Sequence, residues 1–183
     1  LYYTALLNQQ LYYDGFTPVS SLDQGLAMQR SYALAEGTPR NDGAYNIGDL
    51  VRVTLKVKSN QNLWYVLISD PIPAGFEVVQ ERMNQSSWMG YEDFFWRSWG
   101  YNQKDARDDR VEFFVTQMWQ SDYEFTYLMR AIAAGDFSVL PGTASPMYKT
   151  EVWGRSASQR VLVAPEKLAA APALLGDFDR SCQ

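Results

Sequence analysis

Between Val51 and Lys58 the chain alternates without a break. Val51, Val53, Leu55 and Val57 face one way, and Arg52, Thr54, Lys56 and Lys58 face the other. A period of two, with β-branched residues on one side, marks a strand half buried against a core. Gly48-Asp49 breaks the chain before it, and Ser59-Asn60-Gln61-Asn62 turns it afterwards. Trp64–Ile68 is apolar on both faces, as in a central strand or one covered on both sides. Asp70-Pro71 and Pro73-Ala74-Gly75 then end the pairing, because proline has no N–H to give to a ladder. The stretch reads as the core of a β-sandwich and not as an active site.

The same periodicity recurs on both sides. Gly25–Leu34 places Leu26, Met28, Tyr32 and Leu34 on one face. Arg110–Thr116 turns Val111, Phe113 and Val115 inward, and Tyr123–Ala131 does the same with Tyr123, Phe125, Tyr127 and Met129. A short strand with Phe137 and Val139 follows Gly135, and Arg160–Ala164 carries Val161 and Val163. Pro141-Gly142 and Ser145-Pro146 are expected to interrupt pairing before a strand at Met147–Trp153. Eight or nine short strands, frequent turn signals and no convincing long helix predict an all-β fold. The expected architecture is an antiparallel β-sandwich of immunoglobulin-like or fibronectin-like type.

The domain is expected to span 22–164. Residues 1–21 read as the end of a preceding domain, or as a first strand and linker. Residues 165–183 are Ala- and Pro-rich and read as a mobile tail. The chain opens Leu1-Tyr2-Tyr3 with no initiator Met, which predicts a piece of a longer polypeptide. With 183 residues, 46% hydrophobic and 15% aromatic, the chain can bury a substantial core.

A net charge of −5 and scattered basic residues argue against nucleic-acid binding, which needs clustered Lys and Arg. Histidine is absent, which removes Ser-His-Asp and Cys-His nucleophile systems and histidine metal sites. Cys182 is the only cysteine, so an intrachain disulfide is impossible. Asp105, Asp108 and Asp109 form an acidic cluster, but Lys104, Arg107 and Arg110 are interleaved with it. A solvated, salt-bridged turn is the better reading of that run than a carboxylate pair set for glycoside hydrolysis. Calcium-loop and phosphate-loop patterns are absent, so no metal or cofactor is expected. Asn84-Gln85-Ser86 matches a glycosylation acceptor triplet.

One segment escapes the β pattern. Gln80–Asp109 has no sustained period yet carries Trp88, Tyr91, Phe94, Phe95, Trp96, Trp99 and Tyr101. So long an excursion in a compact β domain is usually functional or disordered. Folded back over one end of the sandwich, these rings would form a second small core. Left in solvent, they would form a protein-contact surface, since Trp and Tyr dominate interface hot spots. Those seven residues are the candidate interaction site.

Six segments together resemble the C-terminal macroglobulin-like domain of bacterial α2-macroglobulin family proteins. They are LDQGLAMQRSYAL at 22–34, YNIGDLVRVTLKV at 45–57, VLISDPIPAGFEVV at 66–79, RDDRVEFFV at 107–115, YEFTYLMRAIAAGDFSVLP at 123–141 and MYKTEVWGRSASQRVLV at 147–163. The resemblance implies a non-enzymatic part in a large periplasmic protease trap, in which cleavage of an exposed bait segment triggers a rearrangement that captures the protease. It also implies that this domain docks on neighbouring domains and, in members with a Cys-x-x-Gln thioester, shelters it. No Cys-x-x-Gln occurs in these 183 residues. The implied partners are neighbouring domains of the parent chain, target proteases through that parent, and other periplasmic proteins. An immunoglobulin-like module of a surface adhesin and a carbohydrate-binding module are the competing readings.

Overall fold

A computed structural model describes residues 18–35, 44–79 and 101–165. The described residues form thirteen strands. In chain order they are β1 (Leu22–Gln24), β2 (Leu26–Leu34), β3 (Ala44–Asn46), β4 (Leu50–Ser59), β5 (Leu63–Pro71), β6 (Phe76–Val78), β7 (Gln103–Ala106), β8 (Arg110–Met118), β9 (Asp122–Ala131), β10 (Gly135–Val139), β11 (Thr143–Pro146), β12 (Trp153–Arg155) and β13 (Gln159–Ala164). Of the two flanking segments, residues 1–17 and 166–183 lie outside the described residues.

A six-stranded sheet runs β1-β12-β11-β5-β8-β7, and a four-stranded sheet runs β2-β4-β9-β6. A three-stranded sheet, β10-β13-β3, contains a parallel pair, β13 with β3. The all-β antiparallel sandwich of immunoglobulin-like type is therefore the observed fold.

The alternation at 51–58 is the centre of the four-stranded sheet. Val51, Val53, Leu55 and Val57 are all fully buried. They lie opposite Met129, Tyr127, Phe125 and Tyr123 of β9 and opposite Leu34, Tyr32, Arg30 and Met28 of β2. From the six-stranded sheet, Val66, Ile68, Val111, Phe113 and Val115 fill the other half of the core. The Phe113 and Phe125 rings meet across the sheets at 5.2 Å. Burying each such side chain contributes about 1.5–3 kcal/mol.

Several connections differ from the sequence reading. Ser59–Asn62 joins β4 to β5 as the expected polar turn, but between different sheets. It carries the chain across the sandwich, with the Ser59 hydroxyl donating to the Gln61 carbonyl at 2.6 Å. The strand expected at Met147–Trp153 is not formed: 147–152 connect β11 to β12, which begins at Trp153. Pro146 is tolerated because it is the last residue of β11, opposite Val66. Gln103–Ala106, without visible periodicity, is an edge strand paired to β8. At Gly25 (φ 98°) the chain leaves the six-stranded sheet for the four-stranded one, a backbone angle that glycine adopts without strain.

Candidate docking surface

The acidic run forms the β7–β8 hairpin. Arg107 Nε donates to Asp105 at 3.0 Å and Arg110 Nη2 to Asp109 at 2.7 Å, all on exposed side chains. The Arg110 hydrogen bond holds the Asp109 carboxyl below its ordinary value. This is the salt-bridged turn expected from the sequence. Among the described residues no group of His, Cys, Asp or Glu could hold a metal.

Of the seven aromatic candidates, Trp88, Tyr91, Phe94, Phe95, Trp96 and Trp99 lie outside the described residues. Tyr101 is described, and it is half-buried. Its ring packs edge-on against Phe113 at 5.2 Å and lies 6.3 Å from Phe125, at the seam between the two large sheets. The insertion leaves from β6 at the edge of one sheet and returns to β7 at the edge of the other. Its ends are tied down, with Val79 N–H donating to Leu128 O at 3.0 Å and Asn102 N–H to Phe114 O at 2.7 Å.

The buried polar groups are structural. Arg30 Nη1 donates to Asp70 Oδ1 at 2.7 Å, with both side chains inaccessible to solvent. Tyr127 Oη donates to Asp70 Oδ2 at 2.8 Å, and Arg30 Nε donates to Gln159 Oε1 at 3.1 Å. The network joins all three sheets. Burial pushes the Tyr127 phenol well up, and the facing Asp70 charge adds to that. Burial works against the Arg30 charge, but Tyr32 and Asp70 outweigh it and keep the guanidinium charged. A cation, a phenol and a carboxylate sealed from solvent can hold sheets together but cannot reach a substrate.

The surface feature that sequence reasoning missed lies at one end of the six-stranded sheet. Trp64, Tyr65, Trp119, Met147 and Tyr148 are exposed there, Tyr148 by 83%. Three hydrogen bonds hold this end together: Trp119 N–H to Tyr123 Oη at 2.6 Å, Gln120 N–H to Asn62 Oδ1 at 2.9 Å, and Lys149 Nζ to Gln61 Oε1 at 2.8 Å. Of the two readings of Trp64–Ile68, the central strand holds, since β5 lies between β11 and β8, and cover on both faces fails at the exposed Trp64 and Tyr65. Between Leu63 and Val66, both buried, the strand places two exposed residues in a row. β8 makes the same change between Val115 and Met118, so the paired strands shift their inward face together. The sequence shows only that these two adjacent aromatics cannot both face inward on a pleated strand; that both face outward is decided by the fold.

Residues 25–151 match the family model described as "Bacterial Alpha-2-macroglobulin MG10 domain". The chain belongs to that family. Alpha-2-macroglobulin of Pasteurella multocida (strain Pm70) is 32% identical to this MG10 domain over 140 residues, covering 76% of this chain and 7% of that protein. Circularly permutated Ras protein 2 of Dictyostelium discoideum is 27% identical over 118 residues, covering 64% of this chain and 3% of that protein. A crystal structure of Salmonella alpha-2-macroglobulin reacted with methylamine superposes with a TM-score of 0.70 at 21% identity, covering 82% of this chain and 10% of that one. The last likeness establishes the fold. The domain thus spans less than a tenth of the length of these curated relatives.

Proposed function

We propose that this domain is the C-terminal, non-catalytic docking domain of a bacterial alpha-2-macroglobulin that traps proteases in the periplasm. The sandwich is taken to span 22–164, with 1–21 and 165–183 as flanking segments. The reading rests on the family match together with one observation. A domain that accounts for under a tenth of its relatives' length exposes Trp64, Tyr65, Trp119, Met147 and Tyr148 at one end. Large exposed apolar clusters rimmed by polar groups mark contact sites, and the nearest available surface is the remainder of the parent chain. The aromatic insertion, with Trp96 and Trp99, is proposed as a second contact region. In a parent with a thioester, docking of this domain would keep water from it.

The test uses the intact parent polypeptide and several unrelated proteases. Native and denaturing gels are expected to show one internal cut, a change in native mobility, and protease retained on the cut chain. A parent degraded progressively, or cut without retaining protease, overturns the trap.

A further inference from the structure

Four of the six methionines are among the described residues, and their surroundings divide them. Met28, Met118 and Met129 are sealed in the core, at 2%, 0% and 0% exposure. Met147 is 48% exposed. Oxidation follows access to the sulfur, so exposure selects Met147 among these four.

The backbone holds Met147 at the surface. It follows Pro146, the last residue of β11, and its N–H donates to the Tyr65 carbonyl at 2.9 Å. Tyr65 has a φ of 53°, an angle that a bulky residue keeps only where its surroundings enforce it. Beside Met147 stands Tyr148, 83% exposed, with its ring edge-on to Tyr65 at 5.7 Å. The exposed thioether therefore lies in the aromatic cluster. The outer face of the four-stranded sheet, by contrast, carries Arg52, Lys56, Lys58 and Glu124. On an aromatic face the oxidation state of a methionine matters. The thioether is a flexible apolar group that packs well at contact surfaces, whereas its sulfoxide is polar and chiral. A sulfoxide oxygen carried into a contact without a hydrogen-bond donor is costly.

We propose that Met147 is a reversible oxidation site that sets whether this face can engage its neighbour. It rests on the docking reading above and adds a regulation to it. The co-reactant is a peroxide. The thioether sulfur attacks one peroxide oxygen of hydrogen peroxide, the O–O bond breaks, and that oxygen stays on sulfur while water leaves. Sulfur is oxidised by two electrons, and the peroxide is reduced by the same two. Oxidation takes place while the face is free, and the sulfoxide then keeps it free. A thiol-dependent sulfoxide reductase reverses the step, releasing the oxygen as water and ending as a disulfide.

The test treats the parent polypeptide and the 183-residue chain with hydrogen peroxide and maps sulfoxides by mass spectrometry. In the 183-residue chain, Met147 is expected to oxidise about tenfold or more faster than Met28, Met118 and Met129. In the parent, oxidation is expected to speed proteolytic release of this domain by about tenfold, the effect of one unpaired buried polar group. Met147→Leu abolishes the response to peroxide, which separates this sulfur from Met83, Met89 and the tryptophans. Met147→Gln, polar from the start, speeds release without peroxide, and reductase treatment restores slow release in the oxidised unaltered parent. Equal oxidation of the four described methionines overturns the site. So does a parent whose Met147 stays reduced under peroxide that oxidises the 183-residue chain, an outcome that leaves docking intact. A Met147→Leu parent that still loosens with peroxide, or an oxidised parent released no faster, overturns the regulation. Tyr148→Ala reads docking itself without any oxidant. If release is unchanged in that variant, the docking reading falls and this proposal falls with it.

Discussion

Arg30 and Asp70 form an ion pair between two sheets with no solvent around it. Removing one member of such a pair strands the other charge, whereas replacing both with apolar residues removes two desolvation costs together. Asp70→Ala should therefore lose about 3–5 kcal/mol in urea denaturation, and Arg30→Met with Asp70→Leu should lose far less. A double variant as unstable as the single one would mean that Tyr127 and Gln159 depend on the pair for their own positions. Tyr32 sits beside it with its ring 5.5 Å from the Arg30 guanidinium carbon, and its buried hydroxyl has no hydrogen-bond partner among the described residues. Tyr32→Phe should therefore raise stability by about 1 kcal/mol at neutral pH, since an unsatisfied buried hydroxyl is costly. Burial pushes both the Tyr32 and the Tyr127 phenol upward from 10.0. A phenol with a raised folded-state value keeps its proton longer in the fold than in the unfolded chain. Its contribution is complete below the unfolded value and is lost as pH rises beyond about 10. Urea midpoints should fall on the alkaline side of that value, and Tyr32→Phe should flatten the fall.

At the scale of elements, β4 is the part most sensitive to volume. Leu55 lies between Arg30 on one side and Phe125 on the other and is fully buried. Leu55→Ala should cost about 2–5 kcal/mol in the same denaturation experiment. The close approach of β12 to β2 sets a different limit. A Cβ at Gly154 would overlap the Leu26 carbonyl oxygen, which is backbone and cannot swing aside. Gly154→Ala should accordingly separate the sheets at that point and lower the urea midpoint, by about 1–3 kcal/mol or more. Full stability in that variant would mean that β12 can slide on β2.

Over the whole molecule, the two large sheets differ in what they leave exposed. The four-stranded sheet is pinned by regular alternation through β2, β4 and β9. The six-stranded sheet breaks its alternation in β5 and β8, and there the aromatic cluster emerges. Core residues and exposed aromatics are thereby separated along the same strands. Trp119→Ala should leave the stability of this chain within about 0.5 kcal/mol, as expected at an exposed position. In the parent it should weaken the hold of this domain on its neighbours, read as faster proteolytic release of the domain. Unchanged release would remove Trp119 from the docking face.

The alternation of Val51, Val53, Leu55 and Val57, and its echoes at 110–116, 123–131 and 160–164, determined by themselves that the chain is a β-sandwich. Burial of one strand face is a local property written at every second residue. Arg30 was legible only as a gap in the row Leu26, Met28, Tyr32, Leu34. A charge can occupy a core position only if a partner waits across the sandwich, and Asp70 lies forty residues away. The crossing at Ser59–Asn62, the edge strand β7 and the joining of three sheets were decided by tertiary pairing, because a strand's partner is chosen by the whole set of available edges. The exposed aromatic end was decided there too. Whether Trp64 and Tyr65 face core or water depends on one left-handed backbone angle, and only the assembled β11-β5-β8 neighbourhood holds that angle in place.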